Sequence, residues 1–306
     1  LQYFNTHGYR VCKRIEVLTM LTQRYKTVAV AGTHGKTATT SLLAHILYQA
    51  QRNMVAFVGG VMKGYNTNLL MHNAEHEDAL IVIEADEYDR FFLHLHPDIG
   101  IVTTMDADHL DIYGTPQQYQ AAFRQFIDAI PNDEGHAIIH QKVAQQLGLD
   151  HTSMPHATYY ALENAGVRAE NIRIVQGRFC FDYVSDTVRI DHIQLPIPGY
   201  FSIENTLAAI TACLLLGLDA QAILAGIHTF QGVERRFEYV LNDEHTVFIN
   251  DYAHHPVEIA ASLRTARALY PKKHITVIFQ PHLYTRTRDF APAFALSRDL
   301  AERVYL

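Results

Sequence analysis

The fold of this chain is decided by residues 28–40, which read V-A-V-A-G-T-H-G-K-T-A-T-T. Four small or apolar residues predict a buried strand, a loop with two glycines follows, and apolar residues then recur at helical spacing. Glycines let backbone N–H groups approach phosphate oxygens, a lysine binds their charge, and the first turn of a helix adds a positive partial charge. The segment therefore predicts a strand, a phosphate-binding loop and a helix, in that order.

The predicted loop is shorter than the general pattern G-x-x-x-x-G-K-[ST], because Val30 stands where the first glycine would fall. An ordinary strand-to-helix turn is the alternative interpretation. In the phosphate-binding interpretation, Lys36 meets the phosphate charge and the Thr37 hydroxyl holds Mg²⁺. The candidate nucleotide-binding residues of the loop are Gly32, Thr33, His34, Gly35, Lys36 and Thr37.

Composition narrows the class of protein. The 306 residues carry a formal charge of −7 and are 48% hydrophobic, which is ordinary for a globular protein and gives no broad basic surface for nucleic acid. No apolar run is long enough to span a membrane, so no membrane partner is expected. Three scattered cysteines, Cys12, Cys180 and Cys213, suggest neither a disulfide framework nor a cysteine zinc site. A cytoplasmic protein fits these features best.

The pattern along the chain predicts an α/β protein. Strands alternate with helices from residue 27 to about 147, which predicts a mainly parallel sheet. Short strand-like pieces from 157 to 197 predict a small flanking sheet, and a second alternating unit with a helix over 290–303 resembles part of a Rossmann-like domain. Both chain ends look like positions inside a longer protein. The expected division is 1–26 as an entry segment, 27–232 as the central domain with the phosphate-binding loop, and 233–306 as a partial C-terminal domain.

Two acidic motifs follow predicted strands. Residues 84–89 read E-A-D-E-Y-D and residues 106–111 read D-A-D-H-L-D. An acidic residue directly after a buried strand beside a phosphate loop is a typical Mg²⁺ ligand, so Glu84 is a metal candidate. His109 is the candidate for a second divalent ion at the same sheet edge. A solvated acidic loop and a structural histidine are the alternatives.

The order of these three motifs resembles the central ATPase domain of the Mur ligase family, ATP-dependent amide-forming enzymes of cell-wall precursor synthesis. In that family a substrate carboxylate attacks the γ-phosphate of ATP, and an amine then attacks the acyl phosphate. The resemblance implies that Lys36 binds phosphates, that Thr37 and Glu84 hold one Mg²⁺, and that His109 holds the second, with Mn²⁺ as a possible substitute.

Residues 198–205, P-G-Y-F-S-I-E-N, resemble the family motif G-x-H-N-x-x-N, whose last residue contacts adenine. The resemblance assigns that role to Asn205. The alternative interpretation is that Asn205 is an ordinary residue in the first turn of a helix. Phe201 and Ser202 replace the usual His and Asn, so no side-chain role is carried over to them.

Further motifs extend the resemblance toward the end of the chain. Arg236 in G-V-E-R-R-F-E would reach the γ-phosphate when the domains close, and Asp251 would hold the ribose. Tyr252 and His254 would lie near the incoming amino acid. Arg286 would pair with a carboxylate, whereas Leu283 stands where one branch of the family commonly has a second arginine.

The motif combination looks most like the branch of the family that joins L-alanine to UDP-N-acetylmuramate. The implied catalytic residues are Lys36, His109, Arg236, His254 and Arg286, and the implied cofactors are ATP and Mg²⁺. The resemblance also implies a preceding UDP-binding domain, and a monomer or weak homodimer is expected. A ligase that attaches a whole tripeptide during recycling and a non-catalytic nucleotide-binding homologue remain as alternatives.

Overall fold

The first half of the chain alternates strands and helices as predicted, with a hairpin strand and three short helical segments that the sequence pattern did not reveal. A computed structural model describes residues 2–297 and 299–306. In chain order the elements are α1 (Gln2–Thr6), α2 (Arg14–Arg24), β1 (Thr27–Ala31), α3 (Lys36–Gln49), β2 (Met54–Met62), β3 (Thr67–His72), β4 (Leu80–Glu84), a 3-10 helix (Tyr88–His94), β5 (Ile99–Val102), α4 (Leu110–Tyr113), α5 (Pro116–Asp128), β6 (His136–His140) and α6 (Gln141–Leu147).

The second half contains four more strands of the main sheet and a smaller C-terminal unit. Its elements are β7 (Ala157–Ala161), β8 (Val167–Val175), β9 (Arg178–Val184), β10 (Arg189–Gln194), α7 (Tyr200–Leu215), α8 (Ala220–Thr229), β11 (Glu238–Asn242), β12 (Val247–Asn250), α9 (Pro256–Leu269), β13 (Thr276–Ile278), α10 (Tyr284–Asp289), α11 (Ala291–Ser297) and β14 (Arg303–Tyr305). The predicted helix over 290–303 is wrong at its end. Helix α11 stops at Ser297, and Arg303 already belongs to β14, which pairs in parallel with β13.

The main sheet has ten strands in the order β10-β9-β8-β7-β6-β5-β1-β4-β2-β3. Strand β1 lies between β4 and β5 and is parallel to both, whereas β3, β9 and β10 run antiparallel to their neighbours. The mainly parallel α/β fold is confirmed. The strands between 157 and 194 flank the central part as expected, but they are hydrogen-bonded to it through β6 and β7 and so continue the same sheet.

Both faces of the sheet are covered, and all five residues of β1 are therefore buried. On one face α3 and α7 contribute side chains such as Leu43, Ile46 and Ile210 to the core. On the other face α5 and the 3-10 helix contribute an aromatic cluster that includes Phe92 and Phe123. A strand buried on both faces reads as a continuous apolar run, which explains why V-A-V-A was recognisable.

The C-terminal unit has its own small core. Helix α9 packs against α11, and Ile259, Leu263, Phe279 and Phe294 form the buried centre. Strands β11 and β12 form an antiparallel pair at its start. Within residues 2–297 and 299–306, no helix is both long and apolar enough to cross a membrane.

A buried histidine ties α3 to its neighbours. The His45 ring hydrogen-bonds through Nδ1 to the Tyr65 hydroxyl at 2.8 Å and through Nε2 to Thr229 Oγ1 at 2.9 Å. Because burial disfavours the charged imidazolium, it lowers the pKa of His45 to about 4. The folded protein therefore holds this histidine neutral.

Acidification from pH 6.5 to 4 is expected to lower the free energy of unfolding through His45. The unfolded histidine takes up a proton near its ordinary pKa and the folded one does not, so the unfolded state binds more protons in this window. The loss amounts to at most about 3 kcal/mol. Urea unfolding of wild type and His45→Gln at several pH values measures it, and equal pH slopes for the two proteins would contradict it.

Candidate active site

The predicted phosphate loop lies between the end of β1 and the start of α3, where Gly35 is the N-cap residue. Gly32 and Gly35 have φ of +141° and +82°, and a Cβ at Gly32 would collide with the Thr103 side chain, so both positions favour glycine. The His34 N–H donates to Thr104 Oγ1 at 2.8 Å, which fixes the loop to the end of β5. The start of the 14-residue helix α3 thus faces a preformed glycine loop.

Lys36 points back along this loop and contacts a carboxylate. Its Nζ donates to the Gly32 carbonyl at 2.7 Å and lies 2.6 Å from Glu87 Oε2. Burial works against the ammonium, but the charge of Glu87 raises the pKa of Lys36 above its ordinary value. Burial also raises the pKa of Glu87 to about 7, although Lys36 opposes this. Sequence reasoning left Glu87 without a role, and its place in E-A-D-E-Y-D was the available signal.

The first predicted metal pair is brought together. Thr37 Oγ1 donates to Glu84 Oε1 at 3.0 Å, and the other carboxylate oxygen accepts the Gly59 N–H at 2.8 Å. A Cβ at residue 59 would collide with this carboxylate, so Gly59 makes room for it. A hydroxyl and a carboxylate are the hard oxygen ligands that Mg²⁺ prefers, so the donor set fits that ion. Within the described residues, no three His, Cys, Asp or Glu side chains are grouped to hold a metal by themselves.

His109 lies on the neighbouring loop in a left-handed conformation, with φ of +53°. Its Nε2 is 3.7 Å from Asp108 Oδ2 and 3.9 Å from Glu87 Oε1. Burial lowers its pKa, which keeps the ring neutral and available as a ligand. The ring also packs edge-on against Tyr88, and in the described part of the chain it has no recorded contact with Thr37 or Glu84.

A cleft extends from the phosphate loop between α7 and the C-terminal unit. Asn205, Arg236 and Asp251, which the sequence analysis assigned to the nucleotide, all line it. Asp251 is held by a hydrogen bond from the Ser262 hydroxyl, and the Arg236 guanidinium lies 5.4 Å from the centre of the Tyr252 ring. The cleft is therefore lined by three predicted nucleotide-binding residues that come from two parts of the chain.

Arg286 forms a buried ion pair across the two parts. Its Nε and Nη2 lie 3.2 and 2.9 Å from the two carboxylate oxygens of Asp108, and both side chains are less than 10% exposed. The sequence analysis expected Arg286 to pair with a carboxylate. In the structure that carboxylate belongs to the D-A-D-H-L-D motif of the chain itself.

A second polar contact joins the phosphate loop to α9. The His34 Nδ1 is 3.1 Å from Glu258 Oε1, and the other Glu258 oxygen accepts the backbone N–H of His254 at 3.0 Å. Burial opposes ionisation of Glu258, but the hydrogen bond and charge of His34 hold its pKa well below the usual range. Sequence reasoning did not find Glu258. Its position three residues after the N-cap His255, where it completes a capping box, was the only local signal.

Family models match most of the chain. Residues 30–213 match the Mur ligase middle domain, and residues 235–306 match the Mur ligase glutamate ligase domain. The chain belongs to the Mur ligase family.

Similar proteins include curated Mur ligases of several bacteria. The chain is 44% identical over 304 residues to the UDP-N-acetylmuramate--L-alanine ligase of Phocaeicola vulgatus and 41% identical over 304 residues to that of Flavobacterium johnsoniae. Each match covers 99% of the chain and 65% of the relative, so the chain spans slightly less than two thirds of their length. The crystal structure of UDP-N-acetylmuramate-alanine ligase from Thermotoga maritima matches with a TM-score of 0.79 at 27% identity, over 99% of this chain and 66% of the other.

Replacing Asp108 by Asn in this Mur ligase chain is expected to cost about 3–5 kcal/mol of folding free energy, because Arg286 would keep a buried charge without its partner. Denaturant unfolding measures the loss. The control is Asp289→Asn, which breaks the exposed pair with Arg288 and should cost less than about 1 kcal/mol. Equal losses in the two variants would contradict the assignment of Asp108–Arg286 as a stabilising contact between the domains.

Proposed function

We propose that this Mur ligase chain is the nucleotide-binding and ligating part of an enzyme that joins L-alanine to the carboxylate of UDP-N-acetylmuramate with ATP. The observation that carries the proposal is the match to relatives of that name, at 37–44% identity over essentially the whole chain. The convergence of Lys36, Thr37 and Glu84 at one sheet edge supports it, because a catalytically inactive homologue has no need to retain this set.

In this proposal the ATP phosphates lie on the loop from Gly32 to Thr37 and the nucleoside lies in the cleft. Lys36 turns from Glu87 toward the phosphates, and the N–H groups at the start of α3 point at their oxygens. Asn205 contacts adenine, Asp251 contacts the ribose, and Arg236 meets the γ-phosphate. Residues 27–232 form the ATP-binding domain, 233–306 close over it, and 1–26 lead into it.

The proposed reaction has two steps. The substrate carboxylate attacks the γ-phosphorus and ADP leaves, which gives an acyl phosphate. The amine of L-alanine then attacks the acyl carbon, and phosphate leaves as the amide forms and the amine loses a proton. No side chain acts as a covalent nucleophile, so the protein contributes positioning and charge stabilisation.

The residues around the phosphates have separate tasks in this reaction. Thr37 and Glu84 would hold one Mg²⁺ and His109 a second ion, and these ions would neutralise phosphate charge. Lys36 and Arg236 add fixed positive charge. His254 and Arg286 lie on the C-terminal side, where they orient the incoming amino acid. The cytoplasm is the proposed location, because ATP and a UDP-linked sugar are its substrates.

Phosphate release from ATP by the full-length protein, with UDP-N-acetylmuramate present, tests the function. L-Alanine, glycine, L-serine and the muramyl tripeptide's free peptide are compared as acceptors. Release that depends on L-alanine supports the proposal. Release with the peptide alone would move the protein to the recycling ligases, and no release with any acceptor would favour a non-catalytic homologue.

Lys36→Ala is expected to lower turnover by roughly 100-fold or more, since a fixed cation at the transferred phosphoryl group is lost. Circular dichroism and thermal unfolding check that the variant still folds. Lys272→Ala, which removes an exposed lysine, is the matched control and should keep wild-type turnover. Near-normal activity of the Lys36 variant would refute the phosphate-loop assignment.

Glu84→Gln is expected to raise the Mg²⁺ concentration for half-maximal turnover by roughly 10-fold or more, because an amide replaces an anionic ligand. A Mg²⁺ titration at saturating ATP measures this, and the exposed Glu77→Gln serves as control. His109→Ala is measured in the same way. An unchanged Mg²⁺ requirement in either variant would remove that residue from the metal site.

A further inference from the structure

Glu204 and His140 form a polar pair beside the cleft, and neither residue was assigned a role above. Glu204 on α7 lines the cleft, and its Oε1 lies 2.9 Å from Nε2 of His140, the last residue of β6. His140 is buried, whereas the Glu204 side chain is 17% exposed. One carboxylate oxygen of this cleft-lining residue is thus held by a buried histidine.

The proton positions in this pair follow from the neighbouring contacts. His140 Nδ1 lies 3.2 Å from the backbone N–H of Lys142, which can only donate. Nδ1 must therefore be the unprotonated nitrogen, and Nε2 carries the proton that it donates to Glu204. Glu204 is therefore the acceptor in this pair, and its Oε2 forms no hydrogen bond within the described residues. A ligand group that meets this oxygen favourably has to be a donor.

The position of His140 relative to the phosphate loop follows from the strand order. Strand β6 is two strands from β1, with β5 between them, which corresponds to about 10 Å along the sheet edge. The cleft walls are largely apolar and include Phe201, Tyr160 and Ile197. Apolar walls with a few fixed polar groups are typical of sites that hold a planar base.

Phe201 and Ser202, which depart from the family motif, make Glu204 a stronger candidate for contacting the ligand. Phe201 has no polar side-chain atom, and the Ser202 hydroxyl proton is used in a bond to the Pro198 carbonyl at 3.0 Å. Ser202 also lines the cleft but can then only accept, as a neutral hydroxyl oxygen, which leaves the carboxylate of Glu204 and the amide of Asn205 as the stronger partners for a ligand. An amide next to an acceptor matches the adenine edge, where N7 accepts and the N6 amino group donates.

We propose that Glu204 is the residue that selects the base, by accepting a hydrogen bond from the exocyclic N6 amino group of adenine, and that His140 is its positioning residue. The proposal rests on the proposed function only for the use of ATP. A purine with hydrogen at C6 loses the bond, and hypoxanthine or guanine places a carbonyl oxygen opposite the carboxylate. The bond to a charged acceptor accounts for a preference of roughly 10-fold or more.

Calorimetric titration of the chain with ATP, purine riboside triphosphate and inosine triphosphate, each with Mg²⁺, tests this. The wild type is expected to bind ATP roughly 10-fold or more tightly than either analogue, and Glu204→Ala to bind all three within about 2-fold. The readout is the ratio of the affinities for ATP and for each analogue, because removing a negative charge changes the affinity for every triphosphate. Glu77→Ala, an exposed carboxylate, should keep the wild-type ratio.

His140 is tested by two substitutions. His140→Gln keeps an N–H donor for Glu204 and should retain the preference, whereas His140→Ala should reduce it. A residue with a merely structural task would weaken all three ligands equally.

An unchanged ATP preference in Glu204→Ala, or no preference in the wild type, would overturn the proposal even if L-alanine-dependent phosphate release is observed. Absence of binding by all triphosphates would overturn both this proposal and the ATP site itself. Loss of the preference in Glu204→Ala, with normal folding, supports base selection even where the amino-acid acceptor proves to be different.

Discussion

The parallel pairing of β1 with β4 and β5 is the constraint on which the rest of the structure depends. Parallel strands deliver their carboxyl ends to one edge of a sheet, so the three segments that follow these strands must meet there. They are the glycine loop, the motif with Glu84 and the motif with His109. The contacts Thr37–Glu84 and Lys36–Glu87 are direct consequences of that topology. Residues far apart in sequence thus form one site because backbone hydrogen bonds fix where their strands end.

At this edge, basic side chains already have acidic partners within the chain. Lys36 is paired with Glu87, and Arg286 with Asp108, and all four side chains are largely buried. A buried cation without a partner is costly, so these carboxylates keep the basic groups ionised and in place. An anionic ligand that binds one of these cations therefore replaces the carboxylate that was already paired with it. It does not neutralise an unpaired charge. Each such replacement releases a carboxylate, which must then bind a proton, a metal ion or water.

The sequence predicted what is encoded locally and missed what is not. The glycine loop and α3 were recognisable because strand, loop and helix follow one another within a few residues, and V-A-V-A is apolar on both faces. The ion pair Asp108–Arg286 joins residues 178 positions apart, and neither side chain differs in local pattern from a surface charge. Helix α11 was predicted too long because its end depends on the pairing of β14 with β13, a non-local interaction. Pattern alone also could not show that β7 continues the sheet, because register is set by the neighbouring strand.

The contacts between the domains involve residues that the proposed function assigns to ligands. His34 of the phosphate loop contacts Glu258, and Arg286 of the C-terminal unit contacts Asp108. A ligand that binds Arg286 in place of Asp108 removes part of the attraction between the domains. A ligand that contacts both domains at once supplies a new attraction between them. By linkage, domain closure and ligand affinity must then change each other by equal free energies. Under the proposed function, the affinities for nucleotide and amino acid are thereby linked to the ion pairs that join the two domains.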